Sequence, residues 1–183
     1  MKELRKIKIV IAGPFAAGKT QFINTVSDIR TVTTERKISM AGERSVKEHT
    51  TVAMDFGKIR IDDNNELYLF GTPGQSRFDF MWEILGEGAL GVIVLVDSTD
   101  PKTFHEARRI INFFYSRFPV PIVVGANKQD MPNAWSADDV KFALDITEEE
   151  NIPVVPLSAK NKEDVKKTLL TLLDIIKQNI ESR

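Results

Sequence analysis

The chain contains no cysteine among its 183 residues. That absence excludes disulfides, thiolate metal sites, a cysteine nucleophile, prenylation and palmitoylation. It also lacks a surplus of either charge: 25 lysines and arginines stand against 26 aspartates and glutamates, a formal net charge of -1. Such a balance gives no electrostatic footprint for the backbone of DNA or RNA, so no nucleic-acid partner is expected. No apolar run approaches the ~18 residues needed to cross a bilayer. No glycine follows Met1, which excludes myristoylation. The opening MKELRKIKIVIAG is interrupted at Gly13 and Pro14, has no small-residue cleavage site, and leaves no room before Ile7 for an amphipathic anchor. A soluble, cytoplasmic protein without a direct membrane anchor is expected. His49 and His105 are single histidines without metal-ligand spacing.

What is present is an alternation. The runs IKIVIA (7–12), LYLFG (67–71), GVIVLVD (91–97), PIVVGANK (121–128) and IPVVPLSA (152–159) are short, β-branched and almost continuously apolar. Strands buried on both faces of a parallel sheet read this way. Between them lie helix-length segments at 19–26, 76–86, 101–118, 136–144 and 163–180. In the last, Val165, Leu169, Leu172, Leu173, Ile176 and Ile180 recur at three- and four-residue spacing and form one apolar face. The segment VAMDFGKIRI (52–61), followed by DDNN and ELYLF, reads as a hairpin that places one antiparallel strand at the sheet edge. The expectation is a single α/β domain over 1–183, with a mostly parallel six-stranded sheet flanked by about five helices. Residues 28–50 are polar, aperiodic and expected to be a long functional loop.

The first strand runs into GPFAAGKT: Gly13, Pro14, Phe15, Ala16, Ala17, Gly18, Lys19 and Thr20, with Gln21 following in the helix. A G-x-x-x-x-G-K-T spacing between strand and helix is the placement a phosphate-binding loop requires. The two glycines let the backbone wrap until its N–H groups point at phosphate oxygens, aided by the positive end of the following helix. Lys19 is expected to reach the β- and γ-phosphates and Thr20 to ligate Mg²⁺. Kinases, ATPases and GTPases all share such a loop. The base is read from VVGANKQD, where Asn127, Lys128 and Asp130 form an N-K-x-D set. The Asp130 carboxylate can accept from both N1–H and the exocyclic amine of guanine, a pair of donors that adenine does not offer. Lys128 can lay its stem on the base plane. In PLSAK, Ser158, Ala159 and Lys160 follow the last strand, and the Ala159 N–H is expected at guanine O6.

With these motifs in this order, the chain resembles the Ras-like small GTPases, with their P-loop NTPase fold, over essentially its whole length. TTVAMDFG and LYLFGTPGQSRFDFMW are most similar to the prokaryotic MglA-like and conservon-associated GTPases, often described as similar to the signal-recognition-particle receptor β subunit. The resemblance implies a GTP/GDP switch that hydrolyses Mg-GTP, slowly until a partner stimulates it, and a roadblock/LC7-type regulatory protein as that partner. It implies that Thr51 is the switch I threonine, a second Mg²⁺ ligand, with Thr50 the adjacent alternative. In switch II it places the Gly74 N–H at the γ-phosphate and Gln75 as the residue that orients water. Two departures stand out. Most relatives begin switch II with a metal-steadying aspartate where this chain has Gly71, and Asp55 and Asp97 are candidate substitutes. Phe15 stands where Ras itself has a small glycine, beside the γ-phosphate. A scaffold that binds GTP with negligible hydrolysis, and a P-loop kinase, are the alternative readings. Arg44 is a candidate cis-acting arginine, and the run Phe78, Phe80, Met81, Trp82 is expected to contribute part of a partner surface.

Overall fold

The computed structural model describes residues 3–30, 32–41, 47–74 and 79–183, with 32–41 and 47–53 described through their backbone. Among the described residues seven strands form one sheet: β1 (Arg5–Ala12), β2 (Val32–Ala41), β3 (Lys47–Arg60), β4 (Asn65–Gly71), β5 (Gly91–Asp97), β6 (Ile122–Asn127) and β7 (Val154–Pro156). Their order is β2-β3-β4-β1-β5-β6-β7. From β4 to β7 neighbouring strands are parallel. β3 runs antiparallel to both β4 and β2. All six expected strands are present. The correction concerns 28–50: this polar stretch contains β2, which replaces β3 as the sheet edge.

Among the described residues five helices cover the sheet: α1 (Lys19–Val26), α2 (Phe80–Gly86), α3 (Phe104–Arg117), α4 (Ala137–Ala143) and α5 (Lys162–Glu181). A 3-10 turn at Pro101–Thr103 leads into α3. Alternation along β1 explains how one strand serves two layers. Ile9 and Ile11 face Phe22 and Ile23 of α1 and Val165, Leu169 and Leu172 of α5. Val10 and Ala12 face the opposite layer, where Met81, Trp82, Ile110, Ile111 and Phe114 are buried. Each such fully buried large side chain contributes about 1.5–3 kcal/mol from water exclusion.

The apolar run from Phe80 to Trp82 is split by this packing. Met81 and Trp82 are 2% and 3% exposed and belong to the core, Phe80 is half-buried, and Phe78 lies outside the described residues. The α2 helix is tied to α3 by arginines. Arg109 donates to Asp79 and Glu106, each at 2.8 Å, and lies 5.0 Å from the Trp82 ring centroid. Arg117 donates to Glu83 at 2.6 Å.

Candidate functional site

The C-terminal end of β1 delivers the chain into the phosphate loop, and α1 carries it away. Gly13 and Gly18 have φ of +148° and +104°, in the left-handed region that favours glycine. At Gly18 a Cβ would also run into the Asn127 side-chain amide. The Ala17 N–H donates to the Pro14 carbonyl at 3.2 Å, closing the turn. No side chain caps the start of α1, whereas Ser136 and Asn161 cap α4 and α5. The first turn of α1 therefore has no side-chain acceptor among the described residues, as is also the case at α2 and α3.

Lys19 arches back over this loop. Its Nζ donates to the Gly13 carbonyl at 2.6 Å and the Pro14 carbonyl at 2.8 Å. Burial, only partly offset by the nearby Asp55 carboxylate, pulls its pKa down to about 8. Phe15 is 70% exposed, so its ring covers no core position. Gly74 closes over the same loop: a Cβ there would lie 2.8 Å from Phe15 Cα and 3.2 Å from Lys19 Nζ. Phe15, Lys19, Thr20, Asp55, Thr72 and Gly74 line a cavity of about 450 Å³.

The question raised by Gly71 resolves between the two aspartates. Asp55 of β3 pairs with Gly71 of β4 in the antiparallel register. A Cβ at Gly71 would lie 3.2 Å from the Asp55 Cβ, so the missing side chain leaves room for the neighbouring strand's carboxylate. The Thr20 hydroxyl donates to Asp55 Oδ2 in a short hydrogen bond. Asp97, in contrast, does not line that cavity and is paired with Lys128. Sequence could have chosen between them, because a hairpin turning at Asp63 sets the residues eight before and eight after it opposite each other.

The second pocket, about 390 Å³, includes Gly18, Gln21, Lys128, Asp130, Ser158 and Lys160 in its lining. Asn127 joins it to the first: its Nδ2 donates to the Ala17 carbonyl and its Oδ1 accepts from the Ala159 N–H, both at 2.8 Å. The Ala159 N–H expected at guanine O6 is thus engaged inside the protein. Trp135 packs beside this loop, edge-on to Phe104 at 5.3 Å, and its carbonyl accepts from Gln129 Nε2. Neither the Asn127 bridge nor the buried Thr72 hydroxyl, which has no hydrogen-bond partner among the described residues, leaves a signal in residue spacing.

Thr51 is not brought to the same place. It lies in β3 opposite Lys37 of β2, four residues before Asp55 and so about 13 Å from it along an extended strand. Gln75 and Arg44 lie outside the described residues.

A family model described as "Conserved hypothetical ATP binding protein" matches residues 26–181. The chain is 27% identical to the Ras-related protein Rab-27B of Bos taurus over 192 residues, which cover 96% of this chain and 81% of that protein. It is 30% identical over 137 residues to an uncharacterized protein of Methanocaldococcus jannaschii, covering 75% and 79% of the two chains. The chain belongs to that family and to the Ras-related small GTPases. The structure of the Arl6 BBS3 small GTPase from Trypanosoma brucei with bound GppNp shares the fold, with a TM-score of 0.73 at 20% identity over 95% of this chain and 99% of that one. This small GTPase is a GTP/GDP switch that hydrolyses GTP. The family match starts at residue 26, beyond the Gly13–Thr20 loop, and includes the Asn127–Asp130 and Ser158–Lys160 segments. Among the described residues of the GTPase no helix is long and apolar enough to cross a membrane.

Proposed function

We propose that this GTPase holds Mg-GTP across both pockets and turns it over slowly until a partner completes the site. The observation that carries this reading is Asn127, whose one amide ties the phosphate loop to the S-A-K loop. The loop amides from Gly13 to Thr20, with Lys19, take the β- and γ-phosphates. Lys128 and Asp130, with Ser158 and Lys160 in the lining of the same pocket, take guanine, while the Ala159 N–H stays on Asn127.

The donor set fits Mg²⁺. Among the described residues no three histidine, aspartate or glutamate side chains gather around one point, and Mg²⁺ characteristically takes one or two protein oxygens plus substrate phosphates. Thr20 Oγ1 and an Asp55 carboxylate oxygen would supply them, with the Thr72 hydroxyl, unpartnered among the described residues, lining the same cavity. Bound there, the ion would neutralise charge developing on the phosphates. Replacing Asp55 with alanine should raise the Mg²⁺ concentration that half-protects bound GDP from release by about tenfold, the equivalent of ~1.4 kcal/mol. Measuring GDP release against Mg²⁺ concentration checks this; an unchanged midpoint would remove Asp55 from the metal site.

Thr51 can join the metal only by leaving its pairing with β2, so γ-phosphate capture competes with the outer part of β3. Gly74, whose Cβ position lies against Phe15, would donate its N–H to the γ-phosphate, and Gln75 would orient water, as the resemblance implies. The exposed Phe15 crowds that side of the site and leaves the basal rate low. The similarity of TTVAMDFG and GTPGQ to MglA-like proteins supports a roadblock/LC7-type partner. Single-turnover hydrolysis of Mg-GTP, with and without such a protein and with Gln75→Leu as control, tests the reading. Turnover should rise by at least tenfold with the partner and collapse in the control, and ATP should not substitute. Tight GTP binding with no turnover in any arm would instead make the domain a nucleotide-held scaffold, the reading that the bulk of Phe15 favours. The P-loop kinase reading leaves Asp130 and the S-A-K loop without a role.

A further inference from the structure

Asp97 and Asn127 are the last residues of adjacent parallel strands and are register partners. After Asn127 the chain turns through Lys128 with φ +67°, a left-handed conformation uncommon for lysine. Lys128 Nζ lies 2.6 Å from Asp97 Oδ2. The other carboxylate oxygen, Oδ1, is fixed by the Thr99 N–H at 2.9 Å and the Thr99 hydroxyl at 2.6 Å. Burial pushes the Asp97 carboxyl up, but bonds from Lys128 and Thr99 outweigh it and hold it below the usual carboxylate range. One oxygen thus anchors the carboxylate while the other holds the ammonium. Asp97 does not line the base pocket, although Thr99 and Lys128 both do.

We infer that Asp97 is a positioning residue for base recognition: it anchors the Lys128 ammonium so that the lysine stem stands as a preformed wall of the base pocket. A free lysine side chain would have to surrender its rotamer freedom each time a nucleotide bound. With the ammonium already held, that ordering is complete beforehand, and the bound nucleotide stays longer. The contact is made to the base side of the site, so it acts alike on GDP and GTP. This rests on the assignment of Lys128 to the base.

The experiment is release of a fluorescent GDP and a fluorescent non-hydrolysable GTP analogue from the full chain, in wild type, Asp97→Asn, Lys128→Met and the double variant. Asparagine retains an oxygen for Thr99 and removes the charge. Asp97→Asn should speed both releases by the same factor, about tenfold, and should add nothing in the Lys128→Met background. Wild-type release from Asp97→Asn would overturn the inference. So would an undiminished effect of Asp97→Asn in the Lys128→Met background, because a purely structural role at Thr99 does not need the lysine. If Lys128→Met itself leaves release unchanged, the base-site assignment fails and the inference fails with it. Thermal unfolding of each variant identifies any general loss of fold.

Discussion

Lys19→Met should weaken GTP binding by two to three orders of magnitude, as measured by calorimetry or nucleotide displacement. The side chain is 8% exposed and its ammonium is held by the Gly13 and Pro14 carbonyls, so the charge is already in place for a phosphate. Truncating one partner of a buried, hydrogen-bonded charge pair costs about 2–5 kcal/mol. The same ammonium makes binding depend on pH. In the free protein its pKa is lowered to about 8, so above that pH the lysine is neutral until a bound phosphate restores its proton. Affinity should therefore fall by about fourfold between pH 7 and pH 8.5, with proton uptake on binding. The stability of the nucleotide-free protein moves the other way. The unfolded lysine keeps its proton to a higher pH than the folded one, so the penalty for burying this charge is present in full below pH 8. It disappears as pH rises toward the ordinary lysine value. Wild-type affinity that is flat across this range would place Lys19 away from the phosphates.

Gly18→Ala should destabilise the domain by about 3 kcal/mol and abolish retention of GDP. Two costs combine: about 1–2 kcal/mol for an alanine in the left-handed region, and about 1–3 kcal/mol for forcing a methyl into a packed site. The atom it meets belongs to the Asn127 amide, so the insertion also separates the Ala17 and Ala159 contacts. Gly88→Ala is the control. Gly88 has φ +73° but nothing within 4 Å of its Cβ position, so only the conformational cost applies. Urea unfolding of the two variants should separate them by at least 1 kcal/mol; equal losses would mean that Asn127 yields freely and the bridge has little rigidity.

Six strands were legible because each either carried continuous apolar character or belonged to a hairpin with a clear turn. VTTERKISMA of β2 had neither signal. An edge strand needs no two-sided apolar surface, and charges along it discourage unwanted pairing, so it reads as a polar loop. The phosphate loop was legible because close backbone wrapping demands glycine at fixed spacing. Asp55 and Asp97 are equal candidates by proximity in sequence alone, since the distinction depends on strand pairing. Met81 and Trp82 were harder: four nearly consecutive apolar residues do imply two faces, but the burial of each depends on α3, which lies far off in sequence.

The Asn127 bridge also means that the two ends of a nucleotide are not independent ligands. On the proposed placement, guanosine settling against the S-A-K loop would brace the carbonyl of Ala17, and a phosphate on the Gly13–Thr20 loop would brace the amide of Ala159. Offered as separate fragments, guanosine and pyrophosphate should each bind more tightly in the presence of the other, by the same factor in both directions. Covalent linkage in GTP then adds an advantage to fragments that already assist one another, so the intact nucleotide dissociates as one cooperative unit rather than fraying from either end.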